Sequence, residues 1–205
     1  MNDKVAIRKS TAAAKPANWS DGAEILSAYA GLDSSSWKLG ILSDFNNPDL
    51  IRQINKLAKE ADVANPFFDT AFLSASAENI GHKEVQYLFL SERIGNTETL
   101  KMFAPVVLTK QGISRRPVLK VWTHLYAPLG VPLINAKDDT TIEALKNCLL
   151  SAKHTDAVTI LLNMVPKQSL FTQKLYISKT LCDSCLLYTS PSPRDLSTSR
   201  MPSSA

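Results

Sequence analysis

Val85-Gln86-Tyr87-Leu88-Phe89-Leu90-Ser91-Glu92, then Gly95-Asn96, then the run from Leu100 through Phe103, Pro105 and Leu108 to Lys110, form the stretch that decides the fold class. The first block is rich in Val, Leu, Tyr and Phe, residues that suit a pleated, largely buried surface. Gly95-Asn96 supplies a short turn and the second block a second strand, so the pair reads as a β-hairpin. Pro105 has no N–H to give to a ladder, which predicts an edge strand or a bulge there. Arg116 to Trp122 is a third strand continuing the same sheet.

Helices precede the hairpin. Asn47-Pro48-Asp49 is a helix start: Asn caps, Pro fits the first helical position, and Asp suits the positive end of the dipole. Leu50, Ile51, Ile54, Leu57, Ala58 and Ala61 follow at helical spacing, and Asn65-Pro66 ends that run. A second helix is expected from Asp69, carrying Phe72, Leu73, Ser76, Ala77 and Ile80, with Gly81 as its left-handed stop.

Beyond the third strand, Asp138 to Ala152 reads as a helix with Ile142, Leu145, Leu149 and Ala152 on its buried face. Thr140-Thr141-Ile142-Glu143 has capping-box spacing, so Glu143 is expected to reach back to the cap amide. Ala157 to Met164 is a continuous apolar run, which predicts a central buried strand. A last helix is expected over residues 167–177. The fold class is therefore α/β of the α+β kind, a mixed, largely antiparallel sheet flanked by helices.

The chain has 205 residues, 44% of them hydrophobic and 20% charged, enough for one core. The formal charge is +4. Lys4, Arg8, Lys9 and Lys15 against Asp3, and Arg194 and Arg200 against Asp195, place that excess in the two ends. The middle is balanced, so no nucleic-acid partner is expected. No run reaches the roughly 18–20 apolar residues of a membrane helix, so no membrane association is expected. Residues 1–20 lack the apolar block of a secretory signal, and a cytoplasmic location is the expectation. Cys148, Cys182 and Cys185 are too few for a disulfide scaffold. Cys182-Asp183-Ser184-Cys185 has no second pair and no nearby histidine to complete a metal site.

Residues 21–184 thus read as one folded lobe and residues 1–20 as a disordered lead-in. Residues 185–205, dominated by Ser, Pro, Thr and Arg, cannot bury enough apolar surface to order themselves. The string Cys185-Leu186-Leu187-Tyr188-Thr189-Ser190-Pro191-Ser192-Pro193-Arg194-Asp195 also resembles translated adapter read-through. That resemblance implies a native reading frame that departs near Asp183 or Ser184.

Two stretches carry a family resemblance. One is Asn65-Pro66-Phe67-Phe68-Asp69, leading into Phe72-Leu73. The other is Trp122-Thr123-His124-Leu125-Tyr126-Ala127-Pro128-Leu129-Gly130-Val131-Pro132-Leu133. In this order, separated by a β-meander, they resemble the N-terminal part of the BioF2-like, CelD-like acetyltransferases of the GNAT superfamily, relatives of the FemAB type. The resemblance spans about residues 39–177. It implies a GNAT-like lobe truncated before a second lobe, and transfer of an acyl group from acetyl-CoA or another acyl-CoA to an amine or hydroxyl. The acceptor would be a small molecule or a saccharide, as in cell-surface polysaccharide metabolism. The acyl-CoA would sit chiefly in the later lobe.

One departure from the family pattern concerns the cofactor. Such a site needs a Gln/Arg-x-x-Gly-x-Gly/Ala loop between a strand and a helix, whose amides cradle the pyrophosphate. No two of Gly22, Gly31, Gly40, Gly81, Gly95, Gly112 and Gly130 have that spacing. Lys110-Gln111-Gly112-Ile113-Ser114-Arg115-Arg116 comes nearest and reads as a charged turn between strands. No cofactor-binding residue is therefore assigned in this chain.

His124 is the leading acid–base candidate, since histidine titrates near neutral pH, with Tyr126 beside it. The competing reading of His124 is structural, bonded to backbone in a stiff Pro/Gly loop. His82 and His154 read as surface turn residues, and no histidine pair has metal-ligand spacing. Asp138-Asp139 is explained by helix capping. Trp37 and Trp122 are expected in the core. A rival function is a binding module that only holds an acceptor or a partner.

Overall fold

The computed structural model describes residues 18–31, 34–80, 85–111, 116–153 and 159–176. The first strands are β1 (Glu24–Ala30) and β2 (Ser36–Leu42), followed by the helices α1 (Pro48–Glu60) and α2 (Thr70–Asn79) with a 3-10 turn, Pro66–Phe68, between them. The hairpin follows as β3 (Val85–Ile94) and β4 (Thr97–Gln111), then β5 (Arg116–Val121) and the short β6 (Leu133–Ile134). The helix α3 (Asp139–Lys153), the strand β7 (Thr159–Leu161) and the helix α4 (Leu170–Tyr176) complete the described order. The sheet runs β1-β2-β3-β4-β5-β7, with β6 paired to β4. Every pairing is antiparallel except β5 with β7. This is the mixed, largely antiparallel α+β architecture expected from the sequence.

The hairpin forms around Gly95, whose φ of 59° is the left-handed value the turn requires. Consecutive positions 87–91 and 102–106 are buried, so the centre of the sheet is covered on both faces. Phe89 crosses β2 over Gly40, where a Cβ would lie 2.8 Å from the ring. The α1 start is built as its sequence dictates. Asn47 Oδ1 accepts from Asp49 N at 2.9 Å and Leu50 N at 3.3 Å, and Leu50, Ile54 and Leu57 are buried. Asp69 Oδ1 caps α2 by accepting from Ala71 N at 2.9 Å. The expected stop at Gly81, His82 and His154, the Cys182–Cys185 pair and the tail lie outside the described residues.

Several expectations need correction. Pro105 is neither on an edge nor at a bulge: β4 lies inside the sheet, with Pro105 opposite Tyr87. On its other side β6 pairs only Met102 and Phe103, and β5 begins pairing at Val106. The Pro105 carbonyl accepts from Trp122 N at 2.9 Å, so its nitrogen faces the same neighbour, just past the last β4–β5 pair, Val106↔Val121, and the bond it cannot give lies at the end of that ladder. α1 ends at Glu60 rather than at Asn65-Pro66, because the chain turns and Asp62 N donates to Ile134 O at 3.0 Å. Ile80, expected within α2, is instead its exposed C-cap, the helix ending at Asn79.

α3 is capped by Asp138 and not through Thr140 and Glu143. Asp138 accepts from Thr140 N at 3.1 Å and from the Thr141 hydroxyl at 2.7 Å, while Glu143 is exposed. The apolar run at 157–164 yields a three-residue edge strand, only partly buried and parallel to β5, instead of a central strand. Trp19 and Ser20, read as the end of the lead-in, are buried. Trp19 packs edge-on against Phe89 at 5.1 Å, and the Ser20 hydroxyl donates to Glu98 at 2.6 Å. Trp37 and Trp122 are buried as expected.

Candidate functional site

The two stretches that carry the resemblance meet in space. Asn65 is buried, and its Nδ2 donates to Leu129 O at 3.1 Å and Val131 O at 2.8 Å, while its Oδ1 accepts from Phe67 N at 3.2 Å. One amide thus holds the 3-10 turn and the 122–133 loop together. Phe72, one turn into α2, stacks parallel to the His124 ring with centroids 6.2 Å apart. Gly130 seats the second stretch against the chain at Asn163, since a Cβ there would overlap the Asn163 carbonyl oxygen.

Residues 124–127 form a tight turn closed by His124 N to Ala127 O at 3.1 Å and Ala127 N to His124 O at 2.9 Å. His124 Nδ1 accepts from Tyr126 N at 3.3 Å, so the lone pair a general base would use at Nδ1 faces an amide. Trp122 lies 4.9 Å from the imidazole and the Tyr126 ring 6.3 Å from it. Tyr126 is 72% exposed and Leu125 88% exposed, so the turn presents these two side chains to solvent. The structure brings His124 and Tyr126 side by side on a braced turn, with the tyrosine ring outside.

A second feature escaped the sequence. A cleft of about 500 Å³ opens between α1, the first half of β4 and the start of α3. The β3–β4 register jumps from Leu90↔Met102 to Ser91↔Leu100, so Lys101 is an extra residue, a β-bulge. Bulges re-aim side chains. Lys101 Nζ lies 3.0 Å from Glu92, 3.8 Å from Asp138 and 5.8 Å from the centre of the Trp37 ring. Beside it Gln53, from α1, accepts from Leu100 N at 2.7 Å and donates to Glu98 O and Asp49 at 3.3 Å each. The Glu98 carboxylate is buried, with the Ser20 and Ser91 hydroxyls donating at 2.6 and 2.7 Å.

Asp138 closes one end of the cleft. Burial pushes its carboxyl up, but the Thr141 hydroxyl, the Lys101 charge and the Thr140 and Thr141 amides outweigh burial and hold it below its ordinary value. The carboxylate occupies the N-terminus of α3, the place an incoming anion would need. Asp139, expected as a capping residue as well, instead holds Lys174 Nζ at 2.6 Å. The basic stretch at 110–116 does join two strands, Gln111 pairing with Arg116, while residues 112–115 lie outside the described residues.

Among the described residues no group of three or more His, Cys, Asp or Glu could hold a metal ion. None of the described helices is long and apolar enough to cross a membrane. Cys148 is buried, which pushes its thiol up, with Ser27 and the Leu39 backbone pulling it part of the way back. No family model matches the chain, no curated protein matches it, and no solved structure does.

Proposed function

We propose that this chain is a GNAT-type lobe of an acyl-CoA-dependent acyltransferase, one that supports the acceptor while acyl-CoA binds chiefly in a lobe beyond it. The observation that carries this reading is the Asn65 clamp. The two stretches that resemble the acetyltransferases lie more than fifty residues apart in sequence and form one packed unit through Leu129 O and Val131 O. Support also comes from the strand-to-helix junction between β6 and α3. It carries an aspartate at the helix start where a pyrophosphate cradle would present free amides.

The test is thiol release from acetyl-CoA, with amine and hydroxyl acceptors, by the product of the genomic reading frame continued past codon 184. Turnover is expected from that product, and no heat of acetyl-CoA binding from the 205-residue chain. Binding at micromolar concentration by this chain would refute the placement of the cofactor. Absence of turnover by the longer product would refute the class.

The solvent-facing Leu125 and Tyr126 favour a second reading, a non-catalytic acceptor-binding or interaction module. His124→Ala and Tyr126→Phe would then leave turnover by the longer product intact and weaken binding.

A further inference from the structure

We infer that the cleft between α1, β4 and α3 binds a small polyhydroxylated molecule that is uncharged or carries an ammonium group. Its volume of about 500 Å³ falls in the range of small-molecule sites. Such sites are mostly apolar with a few fixed polar groups. Here the polar groups dominate, and the central ones are fixed by partners that leave them little freedom.

Gln53 is held at both ends of its amide, Glu98 by two hydroxyls, and Asp138 by Thr141 and the start of α3. Lys101 is aimed by the bulge and anchored by Glu92. Groups held in one geometry bind with little further ordering cost, and this separates the cleft from an ordinary polar surface.

Charge selects the ligand. Four carboxylate residues line the cleft (Asp49, Glu60, Glu98 and Asp138) against two lysines (Lys56 and Lys101), a net of −2. Phosphates and nucleotides are disfavoured there, and so is the pyrophosphate of an acyl-CoA. Hydroxyls suit the site because each donates and accepts, matching carboxylates, amides and the threonine hydroxyls of the β4 rim. An ammonium group gains from the acidic excess. The inference rests on the acyltransferase reading only in calling this molecule the acceptor.

The experiment is a chemical-shift titration of the full ¹⁵N-labelled chain with glucose, glucosamine and glucose 6-phosphate, three probes on one skeleton. Amides at 96–101 and 138–141 are expected to move with glucose and glucosamine, at a dissociation constant on the order of 1 mM for ligands this small. Glucose 6-phosphate is expected to bind about tenfold more weakly. Asp49→Asn with Glu60→Gln, at side chains 54% and 48% exposed, makes the lining neutral and should abolish the preference of glucosamine over glucose.

Three results would overturn the inference: stronger binding of the phosphate, shifts confined to residues 124–131, or no shifts at about fifty times that concentration. Binding in the cleft without thiol release by the longer product would uphold this site and remove the acyltransferase reading. Thiol release without binding in the cleft would do the reverse.

Discussion

Replacing Asn65 by alanine removes two donated hydrogen bonds and one accepted bond at a single buried position. The Val131 carbonyl loses its Asn65 partner where the bond is buried, at about 1–3 kcal/mol, and the partly exposed Leu129 carbonyl adds about 1 kcal/mol or less. Loss of the cap on the 3-10 turn contributes about 0.5–1 kcal/mol. The expected destabilisation is therefore about 1.5–5 kcal/mol, read as a lower urea midpoint with an unchanged slope. Trp19, Trp37 and Trp122 are all buried and report it by fluorescence.

Asn65→Asp is the sharper variant. It keeps an acceptor for Phe67 N but turns a carboxylate toward two carbonyl oxygens, so at neutral pH it should cost at least as much as alanine. The folded state then raises the pKa of the new aspartate, and it binds more protons than the unfolded state in the window between the two values. Stability of the variant should accordingly rise as pH falls through that window, relative to Asn65→Ala. A loss under about 1 kcal/mol for Asn65→Ala, or an aspartate variant as stable as wild type at neutral pH, would refute the clamp.

Pro105→Ala should change stability by less than about 1 kcal/mol, because the restored N–H adds at most one bond at the end of the β4–β5 ladder; equilibrium denaturation checks it. Gly130→Ala should cost about 1–3 kcal/mol through overlap with the Asn163 carbonyl, seen as a lower melting temperature. Lys101→Met should lose about 1 kcal/mol or less at neutral pH, as its ion pairs are partly exposed. Part of that loss acts through Asp138, whose folded-state pKa lies below its ordinary value of 3.8. This contribution is present above that value and fades as pH falls through the folded one, so the gap between wild type and variant should narrow in acid denaturation curves.

Local chemistry was readable from the sequence where it is self-contained. Asn47-Pro48-Asp49 fixes the start of α1 because cap, ring and charge act within one turn, and Gly95 fixes the hairpin by backbone geometry alone. Errors arose where distant partners decide the outcome. Pro105 suits an interior strand only because β6 stops and β5 starts beside it. The run at 157–164 is apolar, but its composition does not say whether it pairs on one side or both. Thr140 and Asp138 both suit a helix start, and two residues of phase separate them. His124 and Tyr126 read as part of a stiff loop, and the loop holds them on the 124–127 turn, whereas nothing in the Asn65-Pro66 stretch says that Asn65 bonds that loop. The cleft had no signature, since Gln53, Lys101 and Asp138 belong to three separated elements and a bulge leaves no mark on composition.

The extra residue at Lys101 also governs how the hairpin tolerates changes in length. Leu100 and Met102 sit opposite neighbouring residues of β3, so removing Lys101 would join them in an uninterrupted ladder with every side chain on its present face. A single-residue deletion elsewhere between Thr97 and Lys110 would turn one end of β4 inside out. Codon loss in this hairpin is therefore survivable for the architecture at Lys101, and there it removes the ammonium group from the wall of the cleft.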